Sequence, residues 1–403
     1  MATLISLVQR IAADIRGRAP LTHMHTISDV TGLRTELDEL DAPHRTAPPA
    51  GLKVVPLVMT TGNSARESDL PERGLRLPMR WEAPVYRWRL HVRNWNPRLS
   101  QAKSGAMSLT GVWVADHDGD GAISNVVPVH PGSAMPSDGS EWVSAWSDVP
   151  LGRGADRMLV IGYSGDATAA PYNLIGGSWQ TVAAADAAVP GAAVVASDRT
   201  PLDVWIEAET PASTPVIAGV GDSLTAGVGA TLPVYDSWVA QYARSVGALP
   251  MVVAHSGDDV PGFLWHKEKW QRFSSLARAD AVVWALGSND IHSARTLAQI
   301  QDYFETLFPL IEEHIGAVAY AVTVPPRNGW GTEKEAKRAA WTDWLVSRPQ
   351  IRGTLDFASV MSDDGDTIRP EFDSGDGTHF NTAGYTAQAA SITTPLTAIG
   401  ATA

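Results

Sequence analysis

Along residues 85–93 the chain alternates. Tyr86, Trp88, Leu90 and Val92 are apolar, while Arg87, Arg89, His91 and Arg93 are basic or polar. A two-residue period is that of a strand with one buried face. Shorter apolar runs at 53–59, 108–114, 157–163 and 202–207, parted by turn residues, predict an all-β middle region over 51–210. Many short strands with Gly/Pro-rich turns suggest a β-sandwich, jelly-roll-like in kind. The basic side of 85–93 either meets an acidic glycan or is simply the solvated side of its strand, the commoner case.

From residue 211 to 403 the pattern changes. Strand-like runs at 216–220, 251–254, 281–286, 318–324 and 354–357 alternate with helical spacing at 237–246, 294–315 and 333–346. Such alternation predicts a parallel sheet with right-handed crossovers and helices on both faces. Reactive groups then belong at the carboxyl ends of the strands.

Residues 1–50 form a third zone, partly helical, closed by a breaker cluster from Pro43 to Gly51. Leu4, Leu7, Val8, Ile11 and Ile15 share one helical face. Val30, Leu33, Leu37 and Leu40 follow a three-four-three spacing, about one and a half heptads. That seam either joins several chains or lies as a surface helix on its own domain.

Composition narrows the classes. Of 403 residues, 44% are hydrophobic and 19% charged, so a packed core is expected and a disordered chain is not. A net charge of −13 disfavours nucleic acid, since phosphate contact needs clustered Lys and Arg. With no cysteine there is no disulfide, no thiolate metal site and no cysteine nucleophile. No apolar run reaches about 18 residues, so membrane insertion is not expected. The opening, interrupted by Gln9 and Arg10 with no basic segment before it, does not read as a signal peptide.

Chemistry-bearing residues follow the predicted strands. Gly221-Asp222-Ser223-Leu224 follows the first, His255-Ser256-Gly257-Asp258 the second and Gly287-Ser288-Asn289-Asp290 the third; Asp376-Gly377-Thr378-His379 stands near the end. A serine hydroxyl is a weak nucleophile until a base takes its proton, and His379 suits that task. Asp376, three residues earlier, can reach the far ring nitrogen of His379 and fix its tautomer. The N–H groups of Ser223 and Gly257 and the Asn289 side-chain amide would serve as oxyanion donors. Trp265, Trp284, Trp330 and Trp341 are candidates for a substrate groove or for the core. The lipase elbow Gly-x-Ser-x-Gly is not found, which disfavours an α/β-hydrolase.

Taken in order, these segments resemble the blocks of the SGNH (GDSL) hydrolase superfamily over roughly residues 212–398. The second block departs from the family pattern: Ala254, His255 and Ser256 stand where an asparagine often precedes the glycine. The resemblance implies a flavodoxin-like α/β fold and ester hydrolysis by Ser223, His379 and Asp376, with Gly257 and Asn289 as oxyanion donors. It implies no cofactor for catalysis.

Two further segments carry signals. Asp116-His117-Asp118-Gly119-Asp120-Gly121 has the first half of a calcium loop but Val127 at the twelfth position, so an acidic turn is favoured. Residues 22–33, with His23 and His25 followed by Ile27-Ser28-Asp29-Val30-Thr31-Gly32-Leu33, are similar to a segment recurrent in bacteriophage tail-fibre and minor tail proteins. That resemblance implies attachment to other tail or baseplate proteins of a virion and a homotrimer. In related fibres His-x-His from three chains surrounds a metal with six imidazoles, a donor set suited to an octahedral transition metal; solvent-exposed histidines are the alternative for His23 and His25. The joint expectation is a tail protein whose C-terminal domain deacylates a host surface glycan. The rivals are a non-catalytic glycan-binding adhesin and a free bacterial esterase.

Overall fold

In a computed structural model of the protein, the described residues are 51–67, 72–96, 100–102, 105–165, 171–393 and 395–396. His23, His25, the amphipathic opening and the Val30–Leu40 spacing lie outside them. Residues Pro48–Ala403 form one compact unit.

The middle region is built from two antiparallel sheets. One has the order Leu52–Val58, Asp203–Pro211, Arg87–Arg93, Trp142–Val143. The other runs Val195–Thr200, Pro171–Thr181, Glu72–Met79, Arg157–Gly165, Met107–Gly119, Ala122–His130. Both contribute to a shared core, with Leu57, Trp88, Leu90, Val92, Val204 and Ile206 from the first and Leu75, Leu77, Leu159 and Ile161 from the second. Burying each such side chain stabilises the fold by about 1.5–3 kcal/mol. The strand Glu72–Met79 goes beyond the sequence reading, although Leu75, Leu77 and Met79 alternate with Gly74, Arg76 and Pro78; glycine and proline are poor strand formers and mask the pattern. Arg76 is wholly buried yet satisfied: its guanidinium donates to the carbonyls of Ala187, Gly121 and Val189 at 2.8–3.0 Å.

The basic side of Arg87–Arg93 is not a free solvated face but a paired one: His91 and Arg93 are buried, and Arg87 and Arg89, part-exposed, are each held by a carboxylate. The neighbouring strand sets Glu209, Glu207 and Asp203 opposite Arg87, Arg89 and Arg93. The three pairs close at 3.0, 2.7 and 2.7 Å. His91 stacks on Trp205 at 3.7 Å and meets Glu141 at 3.0 Å. Two groups from the α/β part complete the ladder: Glu268 pairs with Arg93 at 2.9 Å and Arg272 with Asp203 at 2.6 Å. Burial alone would raise the Asp203 carboxyl, but Arg272 and Arg93 hold it far below the usual carboxylate range. Asp203→Ala leaves two guanidiniums without their shared counter-charge. It is expected to cost about 3–5 kcal/mol, measured as a shift in the urea unfolding curve. A cost under about 1 kcal/mol would show that the ladder does not depend on Asp203.

The acidic segment at 116–121 is a tight hairpin. Asp120 (φ 48°) and Gly121 (φ 77°) are the two turn residues, the positive-φ pair that a two-residue hairpin turn requires. Asp116 is engaged by Arg157 and by Asn125, and Asp118 by Ser124 at 3.0 Å. Among the described residues no cluster of three or more His, Asp or Glu is placed to hold a metal ion.

The C-terminal part is a five-stranded parallel sheet. Its strands are β1 (Val216–Gly221), β2 (Leu249–Ala254), β3 (Ala279–Ala285), β4 (Gly316–Val322) and β5 (Gly353–Leu355), in the order β2-β1-β3-β4-β5. That is the doubly wound order whose switch point lies beside β1, between β1 and β3. The helices Trp238–Ser245, Leu297–His314 and Thr332–Val346 stand where helical spacing predicts them. The long one starts three residues later than its periodicity suggests, because Thr296 and Gln299 form a capping box. No described helix is long and apolar enough to cross a membrane.

Candidate active site

The register of the sheet gathers the site. Gly221 at the end of β1 lies level with Ala254 of β2 and Ala285 of β3. The loops that follow these strands therefore leave the sheet together. They carry Ser223, Gly257 and Asn289.

Ser223 opens a single helical turn, Ser223–Ala226. Asp222 caps that turn by accepting the N–H of Leu224 at 2.9 Å. The strand-to-helix corner is tight: a Cβ on Gly221 would lie 2.0 Å from the Thr225 hydroxyl. Ser223 is 3% exposed. Its hydroxyl lies 2.9 Å from Nε2 of His379, and Nδ1 of His379 lies 2.6 Å from Asp376. The other Asp376 oxygen accepts the N–H groups of Thr378 and His379 at 2.9 and 2.8 Å. A carboxylate that accepts from Nδ1–H leaves Nε2 as the acceptor facing the serine, the tautomer a general base needs. Burial raises the Asp376 carboxyl, but the His379 ring and the two N–H groups outweigh it and bring it down to about 2. It is therefore ionised across the neutral range.

Asn289 stands in the short helix Ser288–His292 after β3. Its Nδ2 donates to the carbonyl of Asp258 at 2.7 Å, and its Oδ1 accepts from Arg327 at 2.8 Å. A guanidinium only donates, so the carboxamide oxygen must face Arg327 and the amide nitrogen must face the side of Asp222 and Asp258. Gly257 adopts φ 77°, in the left-handed region, within the turn that leads to Asp258.

Motif reading had left several supporting residues without a role. Arg327, 7% exposed, also donates through Nε to Ser288 at 2.9 Å. It lies in the loop after β4, where nothing local marks it. Asp222 and Asp290 lie inside recognised segments. Burial pushes the Asp222 carboxyl up to about 6 against the pull of Arg327 and the Leu224 N–H. Burial and the nearby Asp259 push Asp290 up to about 8. Asp290 accepts the N–H of Val260 at 3.1 Å, which ties the β3 loop to the β2 loop. Asp258 pairs with the wholly buried Lys269, anchoring the same β2 loop from below.

The four tryptophans divide. Trp284 and Trp341 are fully buried and pack on Phe304 with ring centroids 4.6 and 6.0 Å away, so they are core, not groove. Trp330 is half-buried beside Arg327, 5.4 Å from the guanidinium to the ring centroid. Trp265 is 61% exposed and meets Tyr303 edge-on.

Residues 220–387 match the GDSL-like Lipase/Acylhydrolase family, so this part of the chain is a GDSL/SGNH acylhydrolase domain. Among solved structures, a member of the lipolytic protein G-D-S-L family from Veillonella parvula is 19% identical, with 44% of this chain and 96% of that chain covered and a TM-score of 0.38. A family two carbohydrate esterase from Clostridium thermocellum, solved with cellohexaose, is 13% identical over 83% of this chain and 96% of its own, with a TM-score of 0.37. A psychrotrophic esterase from Pseudoalteromonas sp. is 14% identical over 44% of this chain and 93% of its own, with a TM-score of 0.36. Among curated proteins none matches this chain.

Proposed function

We propose that the protein is a serine esterase carried on a bacteriophage tail, and that it deacylates, most simply deacetylates, a host cell-envelope polysaccharide. The observation that carries the enzymatic reading is the unbroken chain from the Ser223 hydroxyl through His379 to Asp376, at 2.9 and 2.6 Å.

In this reading Ser223 Oγ attacks the ester carbonyl as His379 Nε2 takes its proton. Asp376 holds the imidazolium that forms. The tetrahedral oxyanion is met by the N–H groups of Ser223 and Gly257 and by the Asn289 amide. When the intermediate collapses, His379 returns the proton to the departing sugar oxygen and an acyl-serine remains. Water, deprotonated by His379, then attacks the acyl-serine; the bond to Ser223 Oγ breaks, His379 returns the proton to that oxygen, and the acid leaves. Each half-reaction transfers one acyl group, with His379 taking and returning one proton, so the chemistry asks for no cofactor.

The tail assignment rests on the His23–Leu33 segment, and on the same basis the N-terminal 50 residues dock the chain and help to trimerise it, with His23 and His25 available for a shared metal. The middle region, jelly-roll-like in this reading, positions the esterase over the glycan. The test is mass spectrometry of O-acetylated host polysaccharide before and after exposure. Loss of acetyl groups with wild type, and none with Ser223→Ala, is the expected result. Binding without acyl loss would replace the esterase by an adhesin. Solution mass tests assembly: a species of 43.0 kDa in place of three times that mass would remove the trimer.

A further inference from the structure

We propose that the side-chain cluster beside Asn289, made of His292, Arg327, Trp330 and Lys334, is a subsite for the carboxylate of an acidic sugar, so that the ester acted on belongs to an anionic polysaccharide. The inference rests on the esterase reading above and names its substrate class.

The residues are linked step by step to the catalytic loops. Arg327 bonds Asn289 at 2.8 Å and lies 5.4 Å from the Trp330 ring centroid. Trp330 Nε1 donates to His292 Nδ1 at 3.2 Å, and Lys334 Nζ lies 3.4 Å from the same nitrogen. Because two donors converge on Nδ1, the ring proton of His292 sits on Nε2, where it is a donor. Burial, Lys334 and Arg327 all favour the neutral ring by lowering its pKa.

Donors in excess are the notable feature. Arg327 is 93% buried by its 7% exposure, yet only Nε and Nη2 are engaged, by Ser288 and Asn289. Its Nη1 donates to no described residue. Neither Arg327 nor Lys334 has a carboxylate within ion-pair distance among the described residues. The cations around them do: Arg295 pairs with Asp259 at 2.6 Å and Arg338 with Glu335 at 2.7 Å. Lys337 is engaged by three backbone carbonyls, those of Ile291, Ser293 and Arg295. Nη1 is not closed off from solvent, so the free edge of this otherwise buried guanidinium is where an incoming acceptor can bind.

The charge balance selects the ligand. Asp222 and Asp376 are the carboxylates that act on Arg327, and they offset part of its charge. What remains, with Lys334, suits a monoanion better than a dianionic phosphate. A carboxylate offers two acceptor oxygens in one plane, matching Arg327 Nη1 with Lys334 or His292 Nε2. The half-buried indole of Trp330 is a fitting wall for a sugar ring. In a chain of net charge −13, a local cationic cluster is also what lets a polyanion approach against long-range repulsion.

The test uses the inert Ser223→Ala protein and two probes, an O-acetylated glucuronan oligosaccharide and the same oligosaccharide with its carboxyls reduced. Titration calorimetry is expected to show about tenfold tighter binding of the acidic probe, weakening as salt is raised. Adding Lys334→Glu should remove most of that preference and leave the reduced probe within about twofold; Lys334→Gln should fall between. Equal affinity for the two probes, no binding of either, or an equal loss on both with Lys334→Glu would overturn the subsite. Hydrolysis of 4-nitrophenyl acetate by the Ser223-containing protein is read separately. Its failure would overturn the esterase, while the binding measurement still decides the subsite.

Discussion

Replacing Ser223 with alanine is expected to lower kcat on 4-nitrophenyl acetate by at least about 10⁴-fold, with the thermal midpoint nearly unchanged. The hydroxyl is hydrogen-bonded to the imidazole that can take its proton. It is 2.9 Å from a base whose tautomer is set by Asp376. Without it, the proposed oxyanion donors remain, and they would account for whatever slow hydrolysis by water persists. Stability should hold, since Ser223 sits at the start of a turn already capped by Asp222. His379→Ala should fall almost as far, and the double variant no further than either single one, because nucleophile and base act as a unit. Retention of activity within tenfold by Ser223→Ala would place the nucleophile elsewhere and end the serine mechanism.

The second large effect is expected at Asn289. Truncation to alanine removes an amide donor whose direction Arg327 and the Asp258 carbonyl set. Loss of one oxyanion donor typically costs about 10²–10³ in kcat, and KM for a small neutral ester should change little. Arg327→Met should reproduce part of this, about tenfold, since it frees the carboxamide to rotate without removing it. In the double variant the Arg327 effect should vanish on the neutral ester, because there is no longer an amide to orient. If the two losses multiply, Arg327 acts independently of Asn289 and is not a positioning residue.

How much of this was legible depended on whether partners were close in sequence. Asp376 and His379 are three residues apart, so their pairing could be argued from local reach. The parallel strands announced themselves as short apolar runs between amphipathic helices, and the capped turn at Ser223 is written in four adjacent residues. Arg327 was not legible, because its meaning comes from Asn289, 38 residues away. The basic residues of Arg87–Arg93 were misread for the same reason: their counter-charges lie on a strand more than a hundred residues later. Trp284 and Trp341 could be told from groove residues only once Phe304 was seen packed against them.

Residue order alone indicated the class of secondary structure in the middle and C-terminal zones and the side chains suited to acyl chemistry. Period and side-chain type are local properties, and they survive in one dimension. Only the folded chain decided which of those groups meet, which way the Asn289 amide points, which charges cancel and which are left over beside the serine. Those are distances between residues far apart in the chain, set by sheet order and register, and no local pattern encodes them.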